Sequence, residues 1–328
     1  MPIAGATGKN VVLVLGAARS GTTWLAKIFD SHPDVIYRHE PDTVLRSQVV
    51  PALVSAVDWQ IHVPDAREYL LHLLDVRSVK SAGSFPLFPK RFRSRPSEYI
   101  RALMIYGEKF AMSALGPSLT SRLRVPDFAD RGDPSNLKFV MKSVSSCGRV
   151  KVFAAALPES RIVYLVRHPC GQVASMLKGI ASGKFERPIL NADVFDTDEA
   201  QRLDVTNETF QQLDLVEQCA YHWAILNQKA INDLPPSPRS SIVRYRDLCA
   251  RPREVAEELF RFCALDWEPQ SERFVLGSST AADTDRYYWV ERNSRITEQR
   301  WRHALDAESQ RRIFSICRRV AVGEMFAE

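Results

Sequence analysis

At 328 residues the chain can bury a substantial core and suits one large α/β domain or two small ones; we expect a single domain over 1–328. Hydrophobic residues make up 45% and charged residues 25%, with 14 Gly and 19 Pro, which argues against long disordered tracts. The net charge of +5 suits an anionic ligand and is too weak for a nucleic-acid-binding surface.

The opening MPIAGATGKN has no apolar h-region, and nowhere do about 18 apolar residues run together. Neither secretion nor a membrane span is expected, and a cytoplasmic location follows. Cys147, Cys170, Cys219, Cys249, Cys263 and Cys317 are scattered, without C-x-x-C pairs or histidines at zinc spacing. Reduced, mostly buried thiols and no metal site are the expectation.

The first element, Val11-Val12-Leu13-Val14-Leu15, is a continuous apolar run, the pattern of a parallel strand buried on both faces. Gly16 to Thr23 follows as G-A-A-R-S-G-T-T, and Leu25, Ile28 and Phe29 then fall at helical spacing until Asp30-Ser31-His32-Pro33. Strand, glycine loop and helix aim backbone N–H groups and the positive end of a helix dipole at one point, a seat for a phosphate-like anion. Gly16 and Gly21 have the spacing of the nucleoside-triphosphate P-loop, but Thr22 stands where that motif has lysine. The expected ligand is therefore an anion other than Mg-ATP. Arg19 can supply the missing charge with a forked geometry suited to phosphate or sulfonate oxygens.

Val35-Ile36-Tyr37 is a second strand leading into Arg38-His39-Glu40-Pro41. Residues 42–78 read as mainly helical, with Leu70, Leu71 and Leu74 as an apolar stripe. The segment 81–97 is Pro-rich, aromatic and basic, and Lys90, Arg91, Arg93 and Arg95 read as a solvated loop. A helix over about 97–114 and a loop over 116–136 precede a third strand at 137–141, with Lys142 and Ser143 at its end.

A short helix carries Val152, Phe153, Ala156 and Leu157, and 161–166 is the next buried strand, ending in Arg167-His168-Pro169. Pro169 opens a helix with the core stripe Val173, Met176, Leu177 and Ile180; Ser175 lies off that stripe and gains no role from periodicity. Residues 181–207 are polar and aperiodic, a candidate lid or acceptor-binding loop. A long helix over about 208–232, a last strand at 241–245 and a helix from Pro252 follow. The tail holds Arg286-Tyr287-Tyr288-Trp289, an Arg-rich stretch from Arg292 to Trp301 and an amphipathic final helix.

Five short buried strands alternating with helices predict a P-loop-like, three-layer, doubly wound α/β fold with a mostly parallel sheet. Arg19, Glu40, Lys142 and Arg167 all fall at or just past strand ends, where open α/β sheets place ligand chemistry.

Arg19-Ser20-Gly21-Thr22-Thr23-Trp24 resembles the 5′-phosphosulfate loop of sulfotransferases that use 3′-phosphoadenosine 5′-phosphosulfate (PAPS). Arg167 and Ser175, eight residues apart after a strand, resemble that family's pair for the donor 3′-phosphate. Val243-Arg244-Tyr245-Arg246-Asp247-Leu248 is similar to its late strand-to-helix turn. The resemblance spans about 11–265, a donor-binding core on which 266–328 would pack and help close the site.

It implies in-line transfer of a sulfonyl group from PAPS to a hydroxyl, less readily an amine, with 3′-phosphoadenosine 5′-phosphate (PAP) leaving and no metal. By the same resemblance Ser20, Gly21, Thr22, Thr23, Trp24, Arg167, Ser175 and Tyr245 bind the donor, with Arg19 on the leaving side. Lys142 matches the lysine that tyrosylprotein sulfotransferases place as an acid on the bridging oxygen. Glu40 matches the glutamate that follows the second strand in tyrosylprotein and some carbohydrate sulfotransferases, where it is the base. Strand alternation would point His39 and Glu40 to opposite faces; Glu40 is the expected base, with His39 the alternative and a salt bridge from Glu40 to Arg38 or Arg19 the competing reading. A P-loop kinase is the rival enzyme, disfavoured by the absent lysine and the absence of a strand ending in aspartate; a non-catalytic nucleotide-binding module is the third reading. The acceptor, whether small molecule, glycan, lipid or protein tyrosine, and the oligomeric state stay open.

Overall fold

Five parallel strands, β1 (Val11–Leu15), β2 (Val35–His39), β3 (Lys138–Ser143), β4 (Arg161–Val166) and β5 (Ser240–Arg244), form one sheet in the order β2-β3-β1-β4-β5 in the computed structural model. The structure describes residues 7–55, 57–115, 123–131, 133, 136–188, 190–236, 238–280 and 298–327. In β1 all five residues are buried, and the strand lies between β3 and β4, with Leu13 in register with Met141 on one side and Ile162 on the other. A run with no polar alternation is what a strand covered on both faces requires.

Val11, Leu13 and Leu15 enter one hydrophobic cluster and Val12 and Val14 the other, so side-chain alternation divides the core into two layers. The second layer packs α1 (Thr22–Asp30) and α7 (Pro252–Phe262) through Leu25, Ile28, Phe29, Val255 and Leu259. The first packs α2 (Val63–Leu74), α4 (Val150–Ala156), α5 (Pro169–Ala181), α6 (Leu215–Asn232) and α9 (Ala307–Cys317). Between the first two of these runs α3 (Arg95–Leu115), and α8 (Pro269–Thr280) contacts α1. The connection from β1 leads to β2 on one side, while that from β4 leads to β5 on the other. The strand order therefore reverses between β1 and β4, and a crevice opens there above their carboxyl ends.

Several expectations need correction. Residues 42–78 are not mainly helical: only Val63–Leu74 is α-helix, preceded by 3-10 turns at Pro41–Thr43 and Trp59–His62. Between them Ser47 Oγ caps the N–H groups of Val49 and Val50, and Leu53 bridges to Gly148, which takes the backbone out of helical pairing. The 181–207 segment, aperiodic in sequence, buries Leu190, Val194, Ala200, Leu203 and Val205 in the first core layer. Its short helix Asp198–Arg202 is capped by Thr197, and the long helix begins at Leu215, capped by Asp214.

Nor is the basic run 90–95 simply solvated. Lys90 and Arg93 are buried, the first bonded to Asp30 and His32 and the second to the Asp127 carbonyl. The six cysteines are free and buried, as expected. No helix among the described residues is long and apolar enough to cross a membrane. Arg286 to Trp289 and Arg292 lie outside the described residues.

Candidate active site

The loop after β1 turns through left-handed backbone at two positions. Gly21 caps α1 at φ 102°, and a Cβ there would lie 2.5 Å from Cε2 of Tyr245. Arg19 is also left-handed, at φ 71°. Thr22 and Thr23 form the first turn of α1, so their N–H groups belong to the unpaired donors at a helix start. Trp24 places its ring edge on Tyr245, with centroids 6.2 Å apart, and donates from Nε1 to Ser278 Oγ at 2.9 Å. Ser20 is buried inside the loop, its hydroxyl packed near Gly16.

Across the crevice β4 and α5 supply the second half. Arg167 donates from Nη1 to the Arg19 carbonyl at 3.1 Å, and its guanidinium lies 4.9 Å from the centroid of the Tyr245 ring. Its own carbonyl accepts from Trp223 Nε1 at 3.0 Å, which fixes the strand end to α6. Arg19 donates from Nε to Ser175 Oγ at 3.0 Å and stands 5.4 Å from the centre of the Phe185 ring. Ser175, without a role by periodicity, thus meets the loop directly: the face of α5 turned away from the core is turned toward the crevice.

The third part lies on β2 and β3. Lys142 is nearly inaccessible, and its ammonium is ion-paired with Glu40 Oε1; Glu40 N–H in turn donates to the Lys142 carbonyl at 2.8 Å. Burial pushes the Lys142 ammonium below the ordinary lysine value, although Glu40 draws it back up. Burial alone would raise the Glu40 carboxyl, but the Lys142 charge outweighs it and holds the group below its usual value. Glu40 Oε2 has no protein partner among the described residues. In the competing reading Glu40 pairs with Arg38 or Arg19; its carboxylate is instead ion-paired with Lys142, and Arg38 is committed to a bidentate pair with Asp127 at 2.6 and 3.0 Å.

His39 and Glu40 are not related by strand alternation. The strand ends at His39, and Glu40 is left-handed at φ 44° and ψ 51°, so period two does not reach it. His39 bonds through Nδ1 to Tyr37 Oη at 2.9 Å, and burial beside Lys142 takes its pKa down to about 3. It is a neutral, internally engaged imidazole. Sequence reasoning missed Asp42, whose Oδ2 accepts from Ser143 and from Ser146 at 2.7 Å and so ties the turn after Glu40 to the end of β3. Its place two residues past Glu40 was the available signal.

Residues 11–269 match the family model described as the sulfotransferase family. The chain belongs to the sulfotransferase family. Carbohydrate sulfotransferase 5 of Mus musculus is 26% identical, the match covering 93% of this chain and 78% of that protein. Carbohydrate sulfotransferase 6 of Homo sapiens is 24% identical, over 96% of this chain and 80% of that one. A solved structure, the sulfotransferase domain from the Synechococcus PCC 7002 olefin synthase, shares the fold with TM-score 0.51 at 13% identity, covering 100% of this chain and 98% of that one. As a PAPS-dependent sulfotransferase, the enzyme moves a sulfonyl group from PAPS to an acceptor. The residues around the crevice fit such a donor: a glycine-bounded loop at a helix N-terminus, two arginines from neighbouring strands and a serine, all on the β1–β4 side.

Proposed function

We propose that this sulfotransferase modifies a carbohydrate hydroxyl and does so without a metal ion, with Glu40 as the base. The observation that carries the mechanism is the Glu40–Lys142 pair at the ends of β2 and β3, next to the donor loop. The carbohydrate acceptor is supported by the two relatives above, which cover more than nine-tenths of the chain.

Transfer forms a bond from the acceptor oxygen to sulfur and breaks the bond from sulfur to the 5′-phosphate oxygen, and PAP leaves. Glu40, ionised and with Oε2 open, takes the acceptor proton. Lys142 stands one ion pair away and supplies a proton or hydrogen bond to the bridging oxygen as negative charge grows there. Arg19 and the N–H groups of Thr22 and Thr23 bear on the 5′-phosphate, and Arg167 with Ser175 on the 3′-phosphate. Tyr245 keeps Gly21 and the Arg167 guanidinium in place. His39, neutral and bonded to Tyr37, positions the end of β2 rather than moving the proton.

Incubating the protein with PAPS and a pool of glycans, lipids and tyrosine peptides, followed by mass spectrometry, tests the acceptor. Sulfated glycans are expected. Sulfation confined to tyrosine or lipid would overturn the carbohydrate assignment and leave PAPS-dependent transfer standing.

A further inference from the structure

Helix α3 carries an apolar stripe turned to solvent. Tyr99, Leu103 and Phe110 are 78%, 75% and 77% exposed, and Tyr106 is 58% exposed. Their spacing of four, three and four is the hydrophobic repeat of a helix-pairing seam, not of a helix whose apolar side faces its own core. On its inner side α3 buries Ile105 and the Arg101 stem. With ~150–250 Å² for each aromatic side chain, the stripe and the adjacent Ile100 leave roughly 600 Å² of apolar surface to water. That is at the upper end of what a monomer exposes as one patch.

Two features narrow the occupant. No charged residue interrupts the stripe, and Gly107 beside it has open space where a Cβ would stand, with nothing within 4 Å. Glycine weakens a helix interior, and nothing in the described protomer requires it there. A backbone crossing closely from outside would. The spacing is also its own reverse, so a two-fold axis midway between Leu103 and Tyr106 sets Tyr99 on Phe110 and Leu103 on Tyr106 of the other helix. Gly107 then meets Ala102. Self-complementarity of this kind is what an isologous contact needs, and the patch with its flanks approaches the about 800 Å² per partner of a stable interface.

We propose that the protein is a two-fold dimer in which α3 pairs antiparallel with α3 of a second copy. The inference rests on the helix surface alone, independent of the acceptor assignment. Sedimentation of the full chain across the micromolar range should give a species of twice 37.2 kDa. The double variant Leu103→Glu, Phe110→Glu should weaken that association by about a hundredfold or more while keeping the circular dichroism of the parent.

A second measurement does not depend on that variant folding. Tyr99→Cys and Phe110→Cys chains, mixed and oxidised, should form a mixed disulfide, whereas Tyr99→Cys alone should not, since the six native cysteines are buried. A monomeric parent protein overturns the proposal. So does a monomer captured by phosphatidylcholine vesicles, which would assign the stripe to a membrane surface, and so does cross-linking of Tyr99→Cys to itself, which would require a parallel pair.

Discussion

Lys142 grips Glu40 at two points, its ammonium on the carboxylate and its carbonyl on the Glu40 N–H at 2.8 Å, so that the end of β3 sets the conformation in which β2 terminates. The left-handed backbone of Glu40 is fixed by this contact and by the 3-10 turn Pro41–Thr43 that follows. The carboxylate is thereby held at the strand ends instead of continuing the sheet.

Glu40→Gln keeps the shape and removes the proposed base. Positioned bases contribute about a hundred- to ten-thousandfold, so kcat should fall by that order while donor affinity changes little. His39→Ala should lower kcat far less. Steady-state kinetics of both variants decide it: a dead histidine variant beside an active glutamine variant would reverse the roles.

The pH profile of kcat/KM separates the same two groups. Because Lys142 holds Glu40 below the ordinary value of 4.5, the carboxylate stays ionised as pH falls past 4.5, and the acid limb expected of it lies below that. Burial sets the Lys142 ammonium below 10.5, so the alkaline limb, where its proton is lost, lies below 10.5. Glu40→Gln removes a charge that raises the lysine, and its residual activity should lose the alkaline limb at still lower pH. His39, at about 3, contributes no inflection near 6.5. An inflection near 6.5 that His39→Ala abolishes would contradict this assignment.

Gly21→Ala tests the donor loop. The substitution puts a side chain at φ 102° and a Cβ 2.5 Å from the Tyr245 ring. Destabilisation by more than about 1 kcal/mol and a raised donor KM are expected, read by thermal melts and kinetics. An unchanged donor KM would mean that this backbone does not face the donor.

Much of this arrangement is legible in the sequence, and the residues that are not have a common reason. The strands announce themselves because burial on both faces demands unbroken apolar runs such as Val11 to Leu15, and the order of glycine loop and helix follows from chain neighbours alone. Periodicity was silent on Ser175, whose partner, Arg19, is 156 residues away, and only the family resemblance singled it out. Lys27 was equally silent. A lysine in a helix suggests solvent, yet here it lies wholly buried, donating to Asp30 Oδ2 and Ser84 O at 2.6 Å and to Pro86 O at 3.0 Å. With Lys90 on the other Asp30 oxygen, it fastens the 84–90 loop beneath the helix that starts at the glycine loop. Glu40 was singled out by its place after β2, but its turn was not, because left-handed backbone at a glutamate depends on what the neighbouring strand offers.

Lys27→Met should accordingly be costly. Removing one partner of a buried pair typically destabilises by about 3–5 kcal/mol, and Lys90 remains to shield Asp30, which places the expectation near the low end. Denaturant titration measures it; a loss under about 1 kcal/mol would mean that the pair behaves as a surface contact.

The most direct test of the account is calorimetry of PAP binding in the presence of a chelator, on the parent protein and on Arg167→Ala. Metal-independent binding is predicted for the parent. A hydrogen bond to a charged group contributes roughly 1.5–3 kcal/mol, so the arginine variant should bind about ten- to a hundredfold more weakly. Undiminished affinity in Arg167→Ala, or a parent that ignores PAP and binds ATP only with magnesium, would contradict it.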